Sequence, residues 1–199
     1  MQHSAFGMWE FSSIPSGIYC ADAIAKGAPV ASLLTGTSHP GKYLVVVTGD
    51  PASVEVATDI VVGTPRPSLL DSLFLADIAP DVARSLFEVS GSVSAGGEAV
   101  GVVETSTVAA GVNAADAALK HAHVSLASLR LADGLGGKAY FIVDGDIGEV
   151  QAAVQASIDR AGALINDSVV ITQLTSELRA DLNAGSSFAE VLRSHQASS

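Results

Sequence analysis

The reactive side chains of this chain are few and scattered. There is one cysteine, Cys20, and five histidines: His3, His39, His121, His123 and His195. A Cys–His pair or a Ser-His-Asp relay needs a base within reach of its nucleophile, and no local spacing puts a histidine beside Cys20. Cys20 sits among Ile18, Ala21 and Ile24, which predicts a small buried apolar side chain. His121 and His123 have the spacing of two ligands on one strand face. Nothing nearby completes a tetrahedron, so no metal is expected there. The run Asp133-Gly134-Leu135-Gly136-Gly137-Lys138 has the look of a phosphate loop. It lacks the Ser or Thr after the lysine, and it leads into a strand-like segment where a phosphate loop must feed a helix N-terminus. The carboxylates Glu10/Glu104 and Asp22/Asp116 come in matched pairs. Acid–base work needs two carboxylates held in different environments within a cleft. Recurrence at matched places predicts structural roles instead, as ion pairs or helix-start contacts.

That matching runs through the whole chain. Gly7, Glu10, Ser12, Gly17, Ala21, Asp22, Ala23, Lys26 and Ala28 recur as Gly101, Glu104, Ser106, Gly111, Ala115, Asp116, Ala117, Lys120 and Ala122, 94 positions later. After a two-residue gap, Gly41, Lys42, Val47, Gly49, Asp50, Val54 and Ala57 recur as Gly137, Lys138, Val143, Gly145, Asp146, Val150 and Ala153. At the same offset Asp71 and Ser72 meet Asp167 and Ser168. A repeat of half the chain means two copies of one domain, assigned to residues 1–96 and 97–199.

Each copy reads as strand, helix, strand, strand, helix, strand, helix. Ile14, Ile18, Ala21 and Ala25 in copy one, and Val108, Val112, Ala115 and Leu119 in copy two, form the expected buried stripe of the first helix. Strands are expected at Val30–Thr35 and Ser125–Leu131, then at Lys42–Val47 and Lys138–Val143. The second helices open at Asp50-Pro51 and at Asp146, with Glu149 placed as a capping-box partner. Gly63–Pro67 and Gly162 end them, and Leu69–Leu75 and Leu164–Thr172 supply the fourth strands. Closing helices follow at Pro80–Glu88 and Ser176–Asn183. Ser90–Gly97 reads as the linker and Ala197–Ser199 as a loose tail. The order β-α-β-β-α-β predicts an α+β fold of two ferredoxin-like units, each with its helices on one face of a four-stranded antiparallel sheet.

Composition narrows the function classes. The net charge of −11 and the 5% aromatic content argue against nucleic acid and anionic membranes as partners. No apolar run nears the roughly 20 residues of a membrane helix. With 48% hydrophobic residues and a mean hydropathy of +0.41, the apolar surplus is better assigned to subunit interfaces. Met1–Glu10 carries no signal-peptide pattern and a single cysteine allows no internal disulfide, so a cytoplasmic protein is expected. The copies diverge in one loop, Thr37-Ser38-His39-Pro40-Gly41 against Asp133-Gly134-Leu135-Gly136-Gly137, between matched strands. Divergence confined to one loop on a shared scaffold is how functional loops behave.

Gly101-Val-Val-Glu104-Thr, Ala114-Ala-Asp116-Ala-Ala-Leu-Lys120, the glycine loop and Ile142-Val-Asp-Gly145-Asp146 together resemble bacterial microcompartment shell domains. Copy one carries a weaker version in Gly7-Met-Trp-Glu10, Ala21-Asp22-Ala-Ile-Ala-Lys26, Ser38–Gly41 and Val47-Thr-Gly49-Asp50. The resemblance is to the tandem, non-permuted type. It implies a structural, non-enzymatic protein whose trimers form pseudohexagonal tiles beside other shell hexamers and pentamers. It also implies a central pore for small metabolites, lined by Ser38, His39, Pro40 and Gly41 and by Gly134, Leu135, Gly136 and Gly137. Lys26 and Lys120 match the lysine of the tile edge, whereas the Arg-Pro-His edge motif is missing from Ala76–Pro80 and Thr172–Ser176. Some tandem members hold an iron–sulfur cluster through a loop cysteine. Neither loop has one here, so no cofactor is expected. Of the loop residues, His39 is of the type that changes charge near neutral pH. Three clustered imidazoles would oppose one another's protonation, giving a neutral ring that attracts anions as pH falls. The alternative of another class is a trimeric ligand-binding regulator with a ferredoxin-like fold.

Overall fold

A computed structural model of the chain describes residues 5–65, 68–87 and 97–184. The expected linker over 90–96, the tail at Ala197–Ser199, His3, His195, Pro67 and Glu88 lie outside the described residues. Copy one comprises β1 (Ala5–Phe11), α1 (Ile14–Gly27), β2 (Ser32–Ser38), β3 (Lys42–Gly49), α2 (Pro51–Gly63), β4 (Leu69–Leu75) and α3 (Pro80–Phe87). Copy two repeats it as β5 (Ala99–Thr105), α4 (Val108–His121), β6 (Ser125–Leu131), β7 (Ala139–Gly145), α5 (Ile147–Ala161), β8 (Ile165–Thr172) and α6 (Ser176–Ala184). A 3-10 turn, Gly162–Leu164, takes the start of the last expected strand. The second strand of copy one, β2, begins two residues later than expected, at Ser32, because Val30 and Ala31 still belong to the turn after α1.

Each copy forms its own antiparallel sheet, in the orders β2-β3-β1-β4 and β6-β7-β5-β8. This is the ferredoxin-like arrangement. Side chains alternate along β1. Ala5, Trp9 and Phe11 pack with Cys20, Ile24, Val54 and Ala57 beneath α1 and α2, whereas Phe6 and Met8 point to the opposite face. Close helix-to-sheet approach depends on the matched Gly7 and Gly101. A Cβ on Gly7 would lie 2.7 Å from the Trp9 ring, and one on Gly101 2.7 Å from Val154.

Local chemistry fixes the helix starts. Ser13 and Thr107 cap α1 and α4 by accepting from Ser16 N and Ala110 N. Asp50 caps α2, accepting from the Ser53 amide at 3.0 Å and the Ser53 hydroxyl at 2.6 Å; these two bonds hold its carboxyl below the usual carboxylate range. Asp146 occupies the N-cap position of α5 without a side-chain cap bond, and Glu149 accepts from His123 N rather than closing a capping box. That contact ties α5 to the end of α4.

The expected stripe on α1 is corrected. Ile14, Ile18 and Ala25 are exposed, and the core-facing residues are Gly17, Cys20, Ala21 and Ile24. In α4 the matched Val108, Val112 and Ala115 are buried, but so are nearly all their neighbours. The physical reason is the second copy's surroundings. One face of α4 lies on its own sheet, and the other meets β4, β1 and α3 of copy one. Phe6, Met8, Leu73, Leu75, Ile78 and Val82 therefore join Val103, Val108, Val112 and Phe141 in one core spanning both copies. No helix among the described residues is long and apolar enough to cross a membrane.

Candidate functional site: the paired loops and the seam between copies

The strand order brings the two divergent loops to the same end of the seam. Ser38 ends β2 and is buried, so the exposed part of the first loop starts at His39. Gly41, Gly134, Gly136 and Gly137 all have positive φ, and Leu135 lies between them as part of a tight turn opened by Ala132. Gly137 carries the closest approach. Its φ is +81°, and a Cβ would meet Pro40 Cδ at 2.8 Å and the His39 carbonyl oxygen at 2.9 Å. The Lys42 ammonium donates to the Gly137 carbonyl at 3.1 Å, tying one loop to the other. The glycine loop leads into β7, a strand, as its sequence implied.

His39 does not stand alone. Its Nδ1 lies 3.6 Å from Asp133 Oδ1, and both side chains are nearly four-fifths exposed. Each imidazole thus comes with a carboxylate. Sequence reasoning named Asp133 in a phosphate-loop look-alike and in the divergent loop, but gave it no partner.

The matched carboxylates hold the seam. Glu10 is fully buried, pairs with Lys42 and accepts from Val108 N at the start of α4 at 2.8 Å. Asp71 accepts from the Thr107 hydroxyl. Asp116 accepts from Ala79 N at 2.7 Å and pairs with Lys120 at 2.7 Å, and Lys120 also donates to the Asp77 carbonyl. These are the ion pairs and helix-start contacts expected from recurrence. Lys120 lies at the seam with its side chain 42% exposed; Lys26 pairs with Asp22 and is 73% exposed.

Each of these carboxylate and lysine contacts has matched halves on the chain's two outer flanks. Glu10, Asp71, Asp77 and Ala79 correspond to Glu104, Asp167, Gln173 and Thr175; Thr107, Val108, Asp116, Lys120 and Gly137 correspond to Ser13, Ile14, Asp22, Lys26 and Gly41. Four apolar residues of the seam follow the same rule. Leu73, Val82, Val108 and Val112 are 0–5% exposed in the seam. Their counterparts Val169, Leu178, Ile14 and Ile18 are 48%, 44%, 36% and 51% exposed. Glu104 pairs with Lys138 at 2.9 Å and accepts from Asn166, and the Lys138 hydrogen bond holds its carboxyl below the usual range.

Cys20 is buried, and His121 and His123 are exposed. Among the described residues no group of three or more His, Cys, Asp or Glu side chains is placed to hold a metal.

Known proteins share this layout. The BMC domain family matches residues 5–78 and 99–174. The bacterial microcompartment shell protein PduT of Citrobacter freundii is 39% identical over 158 residues, covering 79% of this chain and 85% of that protein. The carboxysome shell protein CcmK2 of Thermosynechococcus vestitus is 40% identical over 76 residues, 38% of this chain and 72% of that protein. Among solved structures, a microcompartment protein from Desulfitobacterium hafniense superposes with a TM-score of 0.73 at 31% identity, over 89% of this chain and 99% of that one. A fused permuted hexameric shell protein of the RMM microcompartment shares the fold at a TM-score of 0.57 and 19% identity, over 80% and 84% of the two chains. With the domain matched twice and a relative aligned over most of both lengths, the chain belongs to the bacterial microcompartment shell proteins, as a structural member built of two BMC domains in tandem.

Proposed function

We propose that three copies of the chain close into a pseudohexagonal shell tile with the paired loops around its central pore. The observation that carries this is the duplicated seam. A contact joining copy one to copy two, whose matched halves are both exposed on the outer flanks, is a head-to-tail interface waiting for the next chain. Two domains per chain and a sixfold-like rotation close the ring after three chains. The reading places Glu104 over the start of a neighbour's α1, as Glu10 sits over α4, and Leu178 and Val169 against its Ile14 and Ile18.

In such a tile His39, Pro40, Gly41 and Gly134–Gly137 face the opening in alternation, Ser38 backs them, and small metabolites pass. Asp133 joins them, so the pore has threefold chemistry. Lys26 and Lys120 lie toward the outer edge, where long lysine stems cover apolar surface and reach acceptors on an adjoining tile, a hexamer or pentamer of related shell proteins included. The role is one of assembly and passage rather than catalysis, and the carboxylates Glu10, Asp71 and Asp116 serve as seam contacts.

Light scattering of the purified chain tests the ring, and electron microscopy tests the tiling. The expected mass is three times 20.1 kDa, or a larger assembly of such units. Lys26→Asp combined with Lys120→Asp, at positions that also belong to the seam and its counterpart, should abolish sheets. A stable monomer at micromolar concentration refutes the ring, and normal sheets from the double variant refute the edge assignment.

A further inference from the structure

Four buried side-chain atoms among the described residues lack a hydrogen-bond partner: Ser38 Oγ, Ser68 Oγ, Asn113 Oδ1 and Arg130 Nε. Only Arg130 carries a charge. Native proteins rarely bury a guanidinium nitrogen without a partner, and each instance calls for one. The other cations of this region are matched: Lys42 to Glu10, Lys138 to Glu104, and Arg179 to Asp144 at 3.0 Å. No hydrogen bond or ion pair joins Arg130 to a described residue.

Its place is well defined. Arg130 on β6 pairs across the strand with Tyr140 on β7, which in turn pairs with Glu104 on β5. Cross-strand partners share a face about 5 Å apart. This is the face of the second sheet turned away from α4 and α5, where Val100, Ala127 and Ile142 form a small separate core. Arg130 is half-buried, and copy one's α3 packs against the same strand, β6. The equivalent pair in copy one is Gly36 with Leu44, which has no polar group to offer. The feature therefore belongs to the second domain alone. Closing the proposed ring adds a neighbour at β2, the strand equivalent to β6, and so leaves Arg130 facing the same surroundings.

We propose that Arg130, with Tyr140 paired to it across the strands, binds the oxyanion of a small metabolite, a carboxylate or a phosphate. The planar guanidinium fork matches two oxygens of either group, and a phenol donates a further hydrogen bond. A chain of net charge −11 repels anions at long range, so the site works by short-range pairing.

Calorimetric titration of the full chain with inorganic phosphate and, separately, with succinate tests this. At least one should bind saturably at one site per chain, and the one that does identifies the oxyanion. Arg130→Gln should weaken that binding at least tenfold, Tyr140→Phe several-fold, and Arg130→Lys should fall between, since lysine keeps the charge without the fork. Circular dichroism and light scattering should be the same for the variants and the wild type. Absence of saturable binding of both probes, or unchanged binding by Arg130→Gln, overturns the proposal.

Discussion

Ile18→Asp is the sharpest test of the duplicated seam. Ile18 is 51% exposed on the free chain, whereas its counterpart Val112 is fully buried where the copies meet. Burying an isoleucine side chain completely is worth about 1.5–3 kcal/mol, so covering the remaining half contributes roughly 1 kcal/mol per junction. Aspartate forfeits that and sets a carboxylate among the apolar residues of a neighbour's β8 and α6. Even a small part of the desolvation cost brings the loss to about 3 kcal/mol per junction, more than 100-fold in affinity. All three junctions of a ring lose equally. The fold of the single chain should be nearly unaffected, because an exposed substitution moves stability by about 0.5 kcal/mol. Light scattering across micromolar concentrations should find the wild type at three times 20.1 kDa and Ile18→Asp at the monomer mass, with matching thermal unfolding once dissociation is allowed for. Val62→Asp, at a site 74% exposed on α2, should stay trimeric. The reasoning fails if Ile18→Asp assembles as the wild type does.

Glu10→Ala removes the carboxylate that holds Lys42 and caps Val108 N, leaving a poorly exposed ammonium unmatched; urea unfolding should show a loss of about 3–5 kcal/mol. Gly137→Ala places a methyl against Pro40 and the His39 carbonyl at φ +81°, and should cost about 1–3 kcal/mol in the same assay. The Glu104 carboxyl is held below its ordinary value of 4.5 chiefly by Lys138, so its contribution is complete above that pH and disappears as pH falls through the lowered value. Acid unfolding monitored below about pH 4.5 should therefore be less steep in Glu104→Gln, and an unchanged pH profile would show that the pair contributes nothing.

The sequence alone carried the repeat, and with it the fold. Matching glycines, N-caps and alternating apolar strands are local signals, read at the same phase twice. Their recurrence also marked Glu10, Glu104, Asp22 and Asp116 as structural before any contact was visible. Periodicity failed on α1, where Ile14 and Ile18 have the right spacing but face outward. A helix with apolar residues on two sides gives no sequence signal for which side its own sheet takes. That choice depends on Gly17 and Ala21 allowing close approach to β3, and on what the other flank meets in space. Asp133 beside His39 and the unmatched Arg130 were equally invisible, because each is defined by residues from another strand or the other copy. One-dimensional spacing fixes which residues recur. Which of them become buried, paired or left open is decided only when two identical folds pack and the second covers what the first leaves exposed.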